Sequence, residues 1–266
     1  MNPPASPHAA RSAAAPSPAC AACRDGQPLD FEFTMAFQPI VDLRDRSVYA
    51  YEALVRGLDG SSAYSILTRV TEQNLYAFDQ ACRVKAVELA AALGMPCRLS
   101  INFLPNAVYQ PEACIRVTLQ AAQRCGFPTE RIIFEIAERE NAADKAHLQG
   151  ILHAYRRHGF LSAIDDFGAG YAGLNLLAEF QPDLLKIDMD LVRGIDGHPV
   201  RQAIVRSIVG LCDDLGVQAL AEGVETEAEL QVLRRLGIHL FQGYLFAKPA
   251  LQALPPVNWP QEEVAG

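Results

Sequence analysis

Residues 35–56 read Met-Ala-Phe-Gln-Pro-Ile-Val-Asp-Leu-Arg-Asp-Arg-Ser-Val-Tyr-Ala-Tyr-Glu-Ala-Leu-Val-Arg. Two β-rich runs, Met35–Val41 and Val48–Val55, are joined only by Asp42–Ser47. A parallel pair needs a crossover of about a dozen residues or more, usually a helix, so these two strands must run antiparallel. Downstream, short β-rich runs alternate with stretches of helical period. The further strands are expected at Arg98–Phe103, Arg131–Ile136, Leu161–Asp165, Leu184–Asp188, Gln218–Glu222 and Leu240–Phe246. Helices are expected at Ala77–Leu93, Glu112–Arg124, Ala142–His158, Val200–Leu215 and Thr226–Leu236, each ending near Gly or Pro.

Eight strands in a chain of 266 residues, half of them hydrophobic, match one core of the size typical of a barrel of eight βα units. The fold class expected is α/β, a TIM-like (β/α)8 barrel with an antiparallel first strand, over residues 31–255. Residues 1–30 are rich in Ala, Pro and Ser with few large apolar side chains, and read as a flexible tail. Residues 256–266 read as a short C-terminal tail. Cys20 and Cys23 have the spacing of half a zinc knuckle or a redox pair, but no second pair or nearby His completes four ligands. The seven cysteines are odd in number and scattered, so they read as reduced and mostly buried thiols. No apolar run reaches the ~18 residues needed to cross a bilayer, which makes the cytoplasm the expected compartment and membrane association unexpected. The net charge of −8 argues against a nucleic acid polymer as partner. A small phosphate ligand held through metal ions escapes that objection.

Polar residues stand at the ends of successive expected strands: Glu52, Asn102, Glu135, Asp165 with Asp166, Lys186 with Asp188, and Glu222. In a barrel these ends converge on one face. So many anionic oxygens cannot share a mouth without cations, and an oxygen ligand set without His or Cys suits Mg²⁺ or Mn²⁺ rather than zinc. Asp165 and Asp166 are adjacent, and in a regular strand they would face opposite sides. They address one site only if the strand ends at Asp165 and Asp166 turns with the following Phe167-Gly168-Ala169-Gly170 loop. Lys186 lies in an apolar strand, where an ammonium is costly unless it meets anions.

The order of these segments resembles the EAL family of cyclic di-GMP phosphodiesterases. Tyr51-Glu52-Ala53-Leu54-Val55-Arg56 is similar to the family signature. Phe37-Gln38-Pro39-Ile40, Ser100-Ile101-Asn102, Phe134-Glu135-Ile136-Ala137-Glu138, the Asp165-Asp166-Phe167-Gly168 loop, Lys186-Ile187-Asp188, Ala221–Thr226 and Gln242-Gly243-Tyr244 follow in order. The resemblance spans about Phe33 to Pro249. It implies hydrolysis of the bacterial second messenger cyclic di-GMP to linear pGpG by in-line attack of water at a two-metal site. Glu52, Asn102, Glu135 and Asp165 would hold one ion, and Asp165, Asp166 and Glu222 the other. Lys186 would hold or help deprotonate the water, Arg56 would bind a phosphate, and Gln38 would contact or shape a guanine pocket. Glu138 would brace the loop, with Glu225, Asp188 and Gln242 as supporting residues. The resemblance also allows a homodimer through the barrel's side. Ala169 stands where many members have Thr, removing a hydroxyl that could tie the loop to Glu138, and Gly57 stands where Trp is common. The alternative is a module that binds cyclic di-GMP without cleaving it, with a scaffold that binds no nucleotide less favoured because the ligand set is complete.

Overall fold

The computed structural model of the chain describes residues 28–108, 110–138, 145–170 and 173–261. Among these residues nine strands form one sheet: β1 Thr34–Asp42, β2 Ser47–Arg56, β3 Arg98–Asn102, β4 Ile132–Ala137, β5 Leu161–Phe167, β6 Leu184–Ile187, β7 Gln218–Ala221, β8 Leu240–Phe241 and β9 Ala250–Leu251. The helices are α1 Ala63–Leu67, α2 Leu75–Ala92, α3 Pro111–Cys125, α4 Lys145–Arg157, α5 Gly173–Glu179, α6 Met189–Val192, α7 Pro199–Leu215 and α8 Glu227–Arg235. Helix ends follow local chemistry. Pro begins α3 and α7, where its missing N–H costs nothing, and left-handed Gly126 and Gly216 end them. A capping box between Thr226 and Glu229 starts α8.

Strands β2 to β8 run parallel to their neighbours, and β1 closes the barrel by pairing antiparallel with both β2 and β8. The fold is the expected TIM-like barrel with an antiparallel first strand. Along its second edge β1 meets β8 at Val41 and Asp42 and β9 at Ala36 and Phe37. Pro39, which has no N–H to give a ladder, falls between those two pairings.

Alternation along the strands sorts the core into layers. Ile40, Ala50, Ile133, Ala163, Leu184, Leu220 and Leu240 pack together as an apolar floor inside the barrel. The opposite faces carry Tyr51, Leu99, Ile101, Ile132, Phe134 and Ile136 into one shell shared with α2, α3 and α4. Ile164, Leu185, Ile187, Ala221 and Phe241 enter a second shell with α7 and α8.

Several details depart from the sequence reading. Strand β8 stops at Phe241, five residues early, because the chain at Gly243 presses onto Val224: a Cβ there would lie 2.0 Å from the Val224 carbonyl oxygen. The short elements α1, α5, α6 and β9 were not anticipated, since pieces this short carry too little periodicity. Of the thiols described, Cys114 and Cys212 are buried but Cys82, Cys97 and Cys125 are only half-buried. All five are free. Most of the N-terminal segment (1–27), including Cys20 and Cys23, and residues 142–144 of the expected fourth strand's following helix lie outside the described residues. Of the C-terminal segment, Trp259 lies under the Arg46 guanidinium and Asn258 donates its backbone N–H to the Phe246 carbonyl, while 262–266 also lie outside. Among the described residues no helix is long and apolar enough to cross a membrane.

The Gly243 contact generates a direct test. Gly243→Ala must displace the Val224 backbone, which itself pairs with Gln242 and Leu245. Urea denaturation should show a loss of about 3 kcal/mol or more. A midpoint equal to the parent's would mean that this approach is not as close as described.

Candidate active site

One layer above the apolar floor, the same inward register places a polar side chain on every barrel strand. From Ala50, Ile133, Ala163, Leu184, Leu220 and Leu240, two residues onward bring Glu52, Glu135, Asp165, Lys186, Glu222 and Gln242. On β1, which runs the other way, two residues backward from Ile40 brings Gln38, directly across from Glu52. Asn102 completes the ring at the end of β3, beside Glu135 of β4. The sequence-predicted set is therefore one layer of a barrel, seen from its mouth.

Its centre is the Lys186 ammonium, fully buried. Nζ lies 2.7 Å from Glu222 Oε1, 2.8 Å from Glu135 Oε2, 2.8 Å from Asp165 Oδ1 and 3.6 Å from Glu52 Oε2. The contact with Asp165 Oδ1 is an ion pair by distance but lacks hydrogen-bond alignment, so this buried oxygen has no hydrogen-bond donor. Glu52 accepts from Asn102 Nδ2 at 2.8 Å on one oxygen and from Gln242 Nε2 at 2.7 Å on the other. Ser100, one layer down on β3, donates to Glu135 Oε1 at 2.5 Å. Sequence reasoning passed over Ser100, although its place two residues before Asn102 marks it as inward.

Asp165 and Asp166 do share a site, by a different route from the one expected. Strand β5 continues to Phe167, but its register to β6 slips between Ile164 and Phe167, a β-bulge. Asp166 sits within it at φ 55, in the left-handed region that a non-glycine residue rarely adopts. The bulge re-aims the second carboxylate, and oxygens of Asp165, Asp166 and Glu222 all lie within 4.8 Å of one another. Strain held at such a point is characteristic of functional sites.

Glu138 braces the following loop with backbone bonds alone. Its Oε2 accepts from the N–H groups of Gly168 and Gly170, at 2.8 and 3.1 Å, and its Oε1 from Gly173 at 2.8 Å. The hydroxyl absent at Ala169 is not needed for this. Asp188 stands outside the carboxylate cluster and caps α6 through the Asp190 N–H. Glu225 pairs with Arg193 at 3.0 Å rather than with the cluster. Its backbone is held by Glu229, a residue the sequence reading missed, which also accepts from Thr226 and Gly194. Above the cluster opens a cavity of about 250 Å³ whose rim includes Gln38, Leu54, Met189, Arg193 and Tyr244. Arg56 is not part of that lining, and its guanidinium folds back on the Val55 carbonyl.

The electrostatics of this layer are unbalanced. Fully ionised, the five carboxylates of Glu52, Glu135, Asp165, Asp166 and Glu222 exceed the one ammonium by four charges, the charge of two divalent cations. Burial pushes the Glu135 carboxyl well above its ordinary value, and Glu52 beside it adds to this against the pull of Lys186. Burial raises Glu222 in the same way, with Lys186 opposing and Asp165 adding. For Lys186 burial works against the charge, but Asp165, Glu135 and Glu222 outweigh it and hold the ammonium well above the lysine range. An oxygen-only donor set, an excess of negative charge and a buried carboxylate oxygen without a hydrogen-bond donor all fit hard divalent cations.

Comparison with known proteins places these features in company. Residues 25–249 match the family described as the EAL domain. The blue light- and temperature-regulated antirepressor BluF of Escherichia coli is 34% identical over 86% of this chain. A cyclic di-GMP phosphodiesterase of Pseudomonas aeruginosa is 27% identical over 82%. The chain spans 57% of the first relative's length and 38% of the second's. Among solved structures, a standalone EAL protein of Vibrio cholerae in its c-di-GMP-bound form superposes with a TM-score of 0.84 and 56% identity, covering 86% of this chain and 97% of that one. The manganese and cyclic di-GMP complex of Klebsiella pneumoniae BlrP1 gives 0.78 and 37%, covering 85% and 58%.

Linkage gives the site a stability signature. Glu135 and Glu222 titrate higher in the folded chain than in the unfolded one, so their contribution is complete below the ordinary glutamate value of 4.5 and is lost as pH rises through their raised values. The raised Lys186 contributes throughout this window and fails only above the lysine range. Melting curves of chelator-treated protein should show stability declining as pH rises above the ordinary glutamate value of 4.5, and Mn²⁺ should restore more at the higher pH. A melting temperature that climbs through the same window and ignores Mn²⁺ would contradict the assignment.

Proposed function

This chain belongs to the EAL domain family, and on that premise we propose that it is a phosphodiesterase that hydrolyses cyclic di-GMP to linear pGpG with Mg²⁺ or Mn²⁺ held in the barrel mouth. The observation that carries this is the single polar layer in which five carboxylates, three amides and one buried lysine converge above a closed apolar floor. Relatives named as cyclic di-GMP phosphodiesterases and neighbours described as c-di-GMP-bound support the substrate class.

Glu52, Asn102, Glu135 and Asp165 would hold one ion, and Asp165, Asp166 and Glu222 a second. When bound, such ions acidify water and stabilise charge on phosphoryl oxygens. Lys186 is held charged by its carboxylate neighbours, so its part is that of a donor and fixed positive charge that orients the attacking water, not of a base. Gln242 and Asn102 occupy both oxygens of Glu52 and so fix its orientation. Gln38, whose amide donates to the Ala247 carbonyl and accepts from Gln242, presents a braced polar edge to the cavity where a guanine would lie. Arg56, half-exposed on the same strand face as Glu52, would meet a phosphate by swinging off the Val55 carbonyl.

A second reading, binding without cleavage, is favoured by the similarity to an antirepressor. Product analysis separates the two. Purified protein should convert cyclic di-GMP to a linear dinucleotide with a 5′-phosphate only with added Mg²⁺ or Mn²⁺, while Ca²⁺, which prefers looser and larger coordination, should support binding without turnover. Lys186→Ala should lower turnover by about a hundredfold or more while nucleotide binding in Ca²⁺ survives. Binding of cyclic di-GMP with no linear product under any of these metals would establish the second reading instead.

A further inference from the structure

A second buried ion pair lies behind the site, and nothing in the chemistry above uses it. On α2, Asp79 Oδ2 meets Arg83 Nη2 at 2.5 Å, and neither side chain is exposed to solvent. Arg83 Nη1 donates to the Tyr155 hydroxyl of α4 at 3.1 Å, while Arg83 Nε is buried with no hydrogen-bond partner. Enclosing two charges costs several kcal/mol per ion, and well-packed apolar replacements of such pairs are often neutral or stabilising. An arrangement that also leaves a guanidinium nitrogen unsatisfied is a poor device for stability alone.

What the pair touches is the end of β3. The other Asp79 oxygen, Oδ1, accepts the backbone N–H of Leu104 at 3.1 Å. Leu104 is two residues beyond Asn102, at the point where the chain leaves the sheet, and the intervening Phe103 N–H bonds to the Glu135 carbonyl at 3.1 Å. The Phe103 ring packs against Phe134 and Tyr155, each at 5.6 Å between centroids, and Phe134 precedes Glu135. Asp79, Arg83 and Tyr155 thus form one chain of contacts from two outer helices to the exit of β3, just beyond Asn102, and to the middle of β4 beside Glu135.

We propose that Asp79, oriented by Arg83 and Tyr155, is a positioning residue for the metal site: by holding the Leu104 N–H it fixes where β3 ends and so aims Asn102 at Glu52. The inference rests on the metal reading above. Its charge is needed only to orient the acceptor. The acceptor is needed to place the ligand.

Two double variants of the full chain separate this from a purely structural role, since neither leaves an unpaired charge. Arg83→Met with Asp79→Asn keeps an acceptor for Leu104, whereas Arg83→Met with Asp79→Val removes it. Calorimetric titration with Mn²⁺ alone should show a loss of about threefold for the first, which keeps the acceptor but not the Arg83 that orients it, and of about tenfold or more for the second, a size typical of groups that orient metal ligands. Melting temperatures of the two should differ far less than their metal affinities. Equal Mn²⁺ binding by both would overturn the proposal while leaving the metal reading intact. Should the valine variant not fold, Tyr155→Phe decides: it keeps both charges and should weaken Mn²⁺ binding about threefold by loosening Arg83, and parental binding by that variant would overturn the proposal. A parent protein that binds no Mn²⁺ would overturn the metal reading and this inference with it.

Discussion

A lysine ammonium enclosed by carboxylates on four strands is the interaction around which the rest of the molecule is arranged. Neither partner tolerates burial alone: an isolated buried charge costs far more than the few kcal/mol by which a domain is stable. Lys186 and its neighbours are buried together because the barrel floor beneath them is apolar and closed, which fixes their height, and because alternation turns all of them inward. The ammonium answers only part of the negative charge. That shortfall gives a barrel, otherwise a general scaffold, an appetite for cations at one end.

Around this centre, support is supplied largely by backbone groups. Glu138 gathers three N–H groups of the loop after β5, and Glu229 gathers those of Gly194, Glu225 and Thr226. Asp79 takes one from the chain leaving β3. In each case a carboxylate outside the cluster fixes a loop at the barrel mouth. Such bonds survive substitution of the loop side chains, which is why Ala169 leaves the brace intact.

The closed topology was legible from two features: the six-residue link between the opening strands, and the regular return of β-rich runs. The ring of site residues was legible because period-2 alternation carries a polar residue past each apolar floor position. What escaped is governed by contacts distant in sequence. The bulge that turns Asp166 inward depends on the register between β5 and β6, and the early end of β8 depends on Val224 beneath Gly243. Asp79 and Arg83 stand at four-residue spacing on α2, and the sequence reading passed over them. Only packing against α4 and the β3 exit reveals that they are enclosed.

The central claim is that this polar layer is a site for two neighbouring divalent cations. Electron paramagnetic resonance of the nucleotide-free chain, titrated to saturation with Mn²⁺, tests it most directly, because two ions that shared Asp165 would be magnetically coupled. The account predicts two ions bound per chain and a spin-coupled spectrum that Asp165→Asn abolishes. A spectrum of isolated Mn²⁺ at saturation, or coupling that persists without the Asp165 carboxylate, would contradict it.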